Sequence, residues 1–174
     1  MSLLLRILKF FYKQRSFYFS NNWKRSLPFG DYVSDRWEKA RALGFGKGSS
    51  VYDNVIVLGE VKVGQNTWIG PNVVLDGSNG LEIGDNCSIS AGVQIYSHDT
   101  VEWAISGGQE DYKEGRTTIG SNCYIGPNSV ISCGVHIGKG SIVGSNSFVS
   151  KSIKSGSKVA GNPAKEIERN RSDI

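Results

Sequence analysis

Histidine is nearly absent from this chain of 174 residues, and the two that occur are joined by only three cysteines and four prolines. Cys87, Cys123 and Cys133 are odd in number and follow no metal-ligand spacing, so neither a disulfide framework nor a cysteine-based zinc site is expected. They read as reduced core residues of a cytosolic protein. Scarce proline, together with 22 glycines that follow no three-residue period, excludes a collagen-like chain. A net charge of +4, with no basic stripe interleaved with aromatics, argues against a dedicated nucleic-acid binder. The chain also lacks a long apolar run. Its first segment, "MSLLLRILKFFYKQRSFYF", is interrupted at Arg6 and Lys9, too early for a spanning helix, and it has no signal-peptide layout.

That segment does have helical periodicity. Leu3, Leu4, Ile7, Leu8, Phe10 and Phe11 share one broad face, opposite Arg6, Lys9 and Lys13. Such a helix can make peripheral contact with an anionic membrane through residues 1–15, or pack its apolar face on protein. Further on, "SDRWEKARALGFG" reads as a short helix capped by Ser34 or Asp35 and ended at Gly44. It stands just ahead of a long repetitive region and is placed to cover the open end of that region.

From about residue 55 the sequence repeats every six residues. Val57, Val63, Ile69 and Leu75 are spaced by six, and after a two-residue insertion in "DGSNGLE" come Ile83, Ile89 and Ile95. A second break intervenes before Ile119, Ile125, Ile131, Ile137, Val143 and Val149. Glycine comes directly after seven of these, at Gly64, Gly70, Gly84, Gly120, Gly126, Gly138 and Gly144. A period of six suits neither a helix nor a two-faced strand. It suits a solenoid of short flat strands, three per triangular coil, whose inward aliphatics are buried only by stacking. Thirteen hexads predict about four coils and a remainder. Glycine beside each aliphatic is expected because the tight turns demand unusual backbone angles.

The units "WIGPN", "EIGDN", "TIGSN", "YIGPN" and "HIGKG" resemble those of the hexapeptide-repeat acyltransferase family, in its sugar O-acetyltransferase branch. The resemblance covers roughly residues 51–168. It implies an all-β, left-handed parallel β-helix with short N-terminal helices, a homotrimer, acetyl-CoA as acyl donor and a sugar or glycan acceptor. The expected division is a helical capping segment over 1–50, the repeat domain over 51–155, and a C-terminal tail over 156–174. The family setting is bacterial surface polysaccharide biosynthesis, in the cytoplasm or at the inner face of the membrane. Relatives on this fold that bind zinc use three histidines, so no metal is expected here.

The second break, "YSHDTVEWAISGGQEDYKEGRTT", lacks hexad character and reads as a loop extruded from one corner over about 96–118. Loops on rigid scaffolds are where function concentrates. His98 stands at its root, where the resemblance implies a general base. A neutral imidazole near its working pH can take the acceptor's hydroxyl proton and return it as the thiolate departs. Asp99 is a candidate to orient it. His136 falls on an outward position and carries no expected role.

The resemblance further implies acceptor contacts from Asn72 and Asp76. Trp103 can stack on a sugar or anchor the loop. Expected cofactor-binding residues are Tyr124 and Gly126 in the "YIG" turn, then Gly144, Ser145, Ser150 and Lys151, and Lys165 with Arg169 near the nucleotide phosphates. Pro127 departs from relatives that donate a backbone N–H at that place, which leaves the oxyanion donor unassigned. Two other readings stand beside O-acetylation. One is N-acetylation of an amino sugar, free or nucleotide-linked, and the other is a non-catalytic β-helix serving as an interaction module.

Overall fold

The computed structural model describes residues 2–167, so Arg169 and the polar end of the tail lie outside the described residues. The repeat winds into a left-handed β-helix with three flat faces. The first face stacks Ser50–Val51, Trp68–Ile69, Ser88–Ile89, Tyr124–Ile125, Ile142–Val143 and Lys158–Ala160, all parallel. The second stacks the starts of two long strands, Ile56–Val63 and Val74–Ile83, on Gln94–Ile95, Val130–Ile131 and Phe148–Val149. The ends of those long strands join Thr117–Ile119 and His136–Ile137 on the third face, closed by a bridge from Ile137 to Ile153.

The coils are therefore 51–57–63, 69–75–83, 89–95–119, 125–131–137 and 143–149–153, with Val159 starting a sixth. That is more than the four coils expected, because Val51, Ile153 and Val159 continue the ladder beyond the counted hexads. Twelve of the thirteen aliphatics are buried, and Val57, in the top coil, is half-buried, its strand pairing on one side only among the described residues. Burying each such side chain contributes roughly 1.5–3 kcal/mol, and only the neighbouring coil provides the burial.

The glycines after these aliphatics do a different job from the one expected. None of the seven has a positive φ. A Cβ on Gly126 would lie 2.5 Å from the Ser145 nitrogen, and one on Gly120 would lie 2.6 Å from that of Lys139. These positions are glycine because successive coils touch there. The left-handed backbone falls on the asparagines two residues later: Asn66, Asn72, Asn86, Asn122, Asn128 and Asn146 have φ between 52 and 62°. Asparagine tolerates that region better than other residues with a side chain.

Three helices precede the solenoid: α1 (Leu3–Trp23), α2 (Phe29–Val33) and α3 (Arg36–Ala42). The first is not short. It is capped by the Ser2 hydroxyl and runs 21 residues because no proline or glycine occurs before Pro28. Asp35 caps α3, accepting from the N–H groups of Trp37 and Glu38, while the Glu38 carboxylate accepts from the Asp35 N–H. The chain leaves α3 through Gly44 at φ 73°. Ala40 and Phe45 join the core above the first coil, so this helix covers the open end.

Candidate active site

Both breaks in the repeat fall at the same corner, between the second and third faces of consecutive coils. The insertion after Leu75 forms a bulged stretch of the strand Val74–Ile83. The loop after Ile95 begins one coil on, and the two are tied together: the Asn79 N–H donates to the Ser97 hydroxyl at 2.9 Å, and its side-chain amide to the Ser97 carbonyl. Thr117 pins the far end, donating to the Tyr96 carbonyl at 2.6 Å and accepting from the Gly134 N–H. The loop itself is ordered into a two-residue antiparallel ribbon, His98–Asp99 with Lys113–Glu114, and the helical turn α4 (Val101–Ile105).

This corner brings Asp76 to His98. The His98 Nδ1 lies 2.6 Å from the Asp76 Oδ2, with the Asp76 side chain fully buried and that of His98 34% exposed. The carboxylate also accepts from the Ser97 N–H at 3.0 Å, the Ser78 N–H at 3.0 Å and the Ser78 hydroxyl at 2.6 Å. Burial by itself would raise the Asp76 pKa, but the bonds from Ser78, Ser97 and His98 outweigh it and bring it to about 2. Asp76 is thus an anion at neutral pH. It accepts the Nδ1 proton of His98, which leaves the Nε2 lone pair as the proton acceptor. This is a different place from the acceptor-facing one expected, since Asp76 has no exposed surface. Asp99 does not orient the ring: its Oδ1 accepts from the Val101 N–H at 2.8 Å, at the start of α4.

His98 borders a groove of about 300 Å³, whose floor is the outer surface of the second face: Tyr96, Val130, Ser132 and Phe148. The Tyr112 ring meets the imidazole edge-on, with centroids 6.4 Å apart. Phe148 and Tyr112 were not anticipated. Phe148 had a signal, because it immediately precedes an inward aliphatic on the strand two coils beyond Gln94–Ile95. Tyr112 had none, as nothing in a non-repeating loop predicts a fold back onto His98.

A second groove, of about 440 Å³, gathers Ser150, Lys151 and Lys165, with Lys154 and Glu166 also on its wall. Ser150 follows Val149 as Ser132 follows Ile131 and Tyr96 follows Ile95, so it shares the His98 edge of the prism. Two coils separate them, roughly 10 Å at the usual strand spacing. Tyr124, Gly126, Gly144 and Ser145 are stacked on the first face and its corner with the second, the Gly126 N–H donating to the Val143 carbonyl. Asn72 lies on that same corner, exposed, its side chain accepting from Asn54 at 2.6 Å and its backbone left-handed like the other turn asparagines. Trp103 is exposed on α4, beside Gly108, and is not among the residues that line the His98 groove. His136 is outward, bonded to the Thr118 hydroxyl at 2.6 Å.

Known proteins carry the same repeat. Residues 116–151 match the description "Bacterial transferase hexapeptide (six repeats)", and residues 60–97 match "Hexapeptide repeat of succinyl-transferase". The chain is 30% identical over 125 residues to the galactoside O-acetyltransferase of Escherichia coli, covering 60% of this chain and 62% of that one. It spans less than two thirds of the length of the curated relatives it matches first. The N-acyltransferase AntD of Bacillus cereus, solved with dTDP and 3-hydroxybutyryl-CoA, superposes with a TM-score of 0.65 at 25% identity, over 73% of this chain and 72% of that one. A hexapeptide-repeat-containing acetyltransferase from Vibrio cholerae shares the fold over 96% of this chain and 93% of that one, with a TM-score of 0.67 at 24% identity. The repeat of this chain is thus similar to that of hexapeptide-repeat transferases, and its fold to theirs.

Proposed function

We propose that the protein is an acetyl-CoA-dependent O-acetyltransferase that modifies a sugar hydroxyl, with His98 as general base and residues 51–155 as its catalytic domain. The observation that carries this reading is the buried, ionised Asp76 holding the Nδ1 side of His98 beside an open groove. Acylating an alcohol requires removal of its proton as the oxygen attacks, and an imidazole held in one tautomer supplies that base. His98 takes the hydroxyl proton at Nε2 and gives a proton to sulfur as the C–S bond breaks. The donor fits the second groove by its chemistry: Lys151, Lys154 and Lys165 offer three cations where a nucleotide's phosphates would lie. The likeness to a galactoside O-acetyltransferase supports a sugar acceptor. Surface polysaccharide biosynthesis is the proposed setting and a homotrimer the proposed assembly.

A second reading, N-acylation of an amino sugar, is favoured by the likeness to AntD, an N-acyltransferase solved with dTDP. An amine already deprotonated needs no strong base, so the two readings part at His98. The test is thiol release from acetyl-CoA with matched neutral-sugar and amino-sugar panels. Turnover on neutral sugars, reduced about 10²–10⁴-fold in His98→Ala with unchanged thermal stability, is the expected result. Turnover confined to amino sugars and retained in the variant would replace O-acetylation with N-acylation. A chain that does not bind coenzyme A would overturn both.

A further inference from the structure

We infer that α1 is a membrane-surface anchor whose free apolar face settles into an anionic lipid bilayer. The helix already has one partner and uses one side for it. Phe11 meets Phe29 edge-on at 6.5 Å, Tyr12 and Phe19 meet Tyr32 at 5.5 and 5.3 Å, and the Arg15 Nε donates to the Tyr32 carbonyl at 3.0 Å. Even so, no residue of α1 is buried. Leu3, Ile7, Phe10 and Phe17 succeed one another at steps of four, three and seven along another side, and are 75, 56, 66 and 69% exposed. On helical spacing, Arg6 and Lys13 border that stripe.

Charge decides what covers it. Residues 1–30 contain six lysines and arginines and no acidic residue, whereas the rest of the chain has 14 basic and 16 acidic residues. The positive excess of the whole chain is therefore concentrated on this segment. A second copy of α1 would set one acid-free, basic helix against another, which repels. Anionic headgroups neutralise the same cations while the acyl boundary takes the leucine, isoleucine and phenylalanines. Exposed Tyr18, next to Phe17, is of a residue type that settles at headgroup depth. Among the described residues no helix is long and apolar enough to cross a membrane, so α1 lies along the surface. This inference stands independently of the acyltransferase reading.

The experiment is co-sedimentation of the full chain with phosphatidylcholine vesicles, with and without phosphatidylglycerol. Binding is expected only with the anionic lipid, weakening as salt rises through about 0.15 M. The double variant Ile7→Glu/Phe10→Glu and the charge variant Arg6→Glu/Lys13→Glu should each weaken it by about tenfold or more. Helix content by circular dichroism should not change, since these side chains are exposed. No binding to anionic vesicles, or equal binding by both variants, overturns the inference. A change of oligomeric mass in the apolar variant without a change in vesicle binding would assign the stripe to a protein contact instead.

Discussion

Two corners of the prism turn the chain by one short device repeated coil after coil, whereas the corner between the second and third faces is built differently in its second and third coils. At seven turns of the regular corners a glycine lets adjacent coils touch and, two residues on, an asparagine or a second glycine takes the left-handed backbone. Little sequence is left over, so those corners carry packing and backbone hydrogen bonds. At the irregular corner, extra residues replace the tight turn with side-chain bonds among Asp76, Ser78, Asn79, Ser97 and Thr117. That network holds His98 over the second face. The comparison teaches that a repeat binds its residues to stacking, and reactive geometry appears where stacking is relaxed but still pinned at both ends.

The comparison breaks most severely at a regular corner. Gly120→Ala puts a methyl 2.6 Å from the Lys139 nitrogen, and the backbone of the next coil has nowhere to retreat. A loss of about 2–4 kcal/mol in denaturant unfolding is expected, with reduced yield of folded protein. A variant as stable as the parent would show that the coils are not in rigid contact there.

Asp76→Asn tests the other corner. When folded, the Asp76 carboxyl titrates near 2 instead of 3.8, so its contribution is complete above about pH 4 and is lost as pH falls towards 2. The shift corresponds to about 2 kcal/mol. Asp76→Asn should therefore remove the part of the acid sensitivity between about pH 4 and 2 that this one carboxylate contributes to thermal melts, and should lower turnover on neutral sugars by about 10²-fold by freeing the imidazole. An unchanged acid melt would remove Asp76 from the network. An activity loss matched by Asp99→Asn would return the orienting role to Asp99.

The smallest effect belongs to the turn asparagines. Asn128, at φ 56°, should lose about 1 kcal/mol on Asn128→Ala and almost nothing on Asn128→Gly, as read by urea unfolding. Equal losses for both would mean that the side-chain amide, and not the backbone angle, is what the turn requires.

Much of this molecule was legible from residue order. The aliphatic ladder, the two breaks and the histidine at the root of the second break all come from counting by six. The Asp76–His98 pairing was within reach of the same count, because both breaks occur after the middle aliphatic of a coil, Leu75 and Ile95, and so share a corner. The reading of glycine failed for a physical reason. A tight turn can need glycine for its dihedral or for its missing Cβ, and the sequence alone does not distinguish the two. The fold of the loop was illegible throughout, since Tyr112 reaches His98 only through a ribbon that no periodicity announces.

Sequence by itself determined the solenoid, because a buried aliphatic every six residues has no other way to escape water. It also determined where the solenoid would be interrupted. Tertiary structure alone decided which acid serves His98. Asp99 is adjacent in the chain but its carboxylate accepts from the Val101 N–H, while Asp76, 22 residues earlier, is brought to the ring by the neighbouring coil. In a coiled chain the shortest path between two side chains runs across the coils, one strand spacing at a time, and not along the backbone.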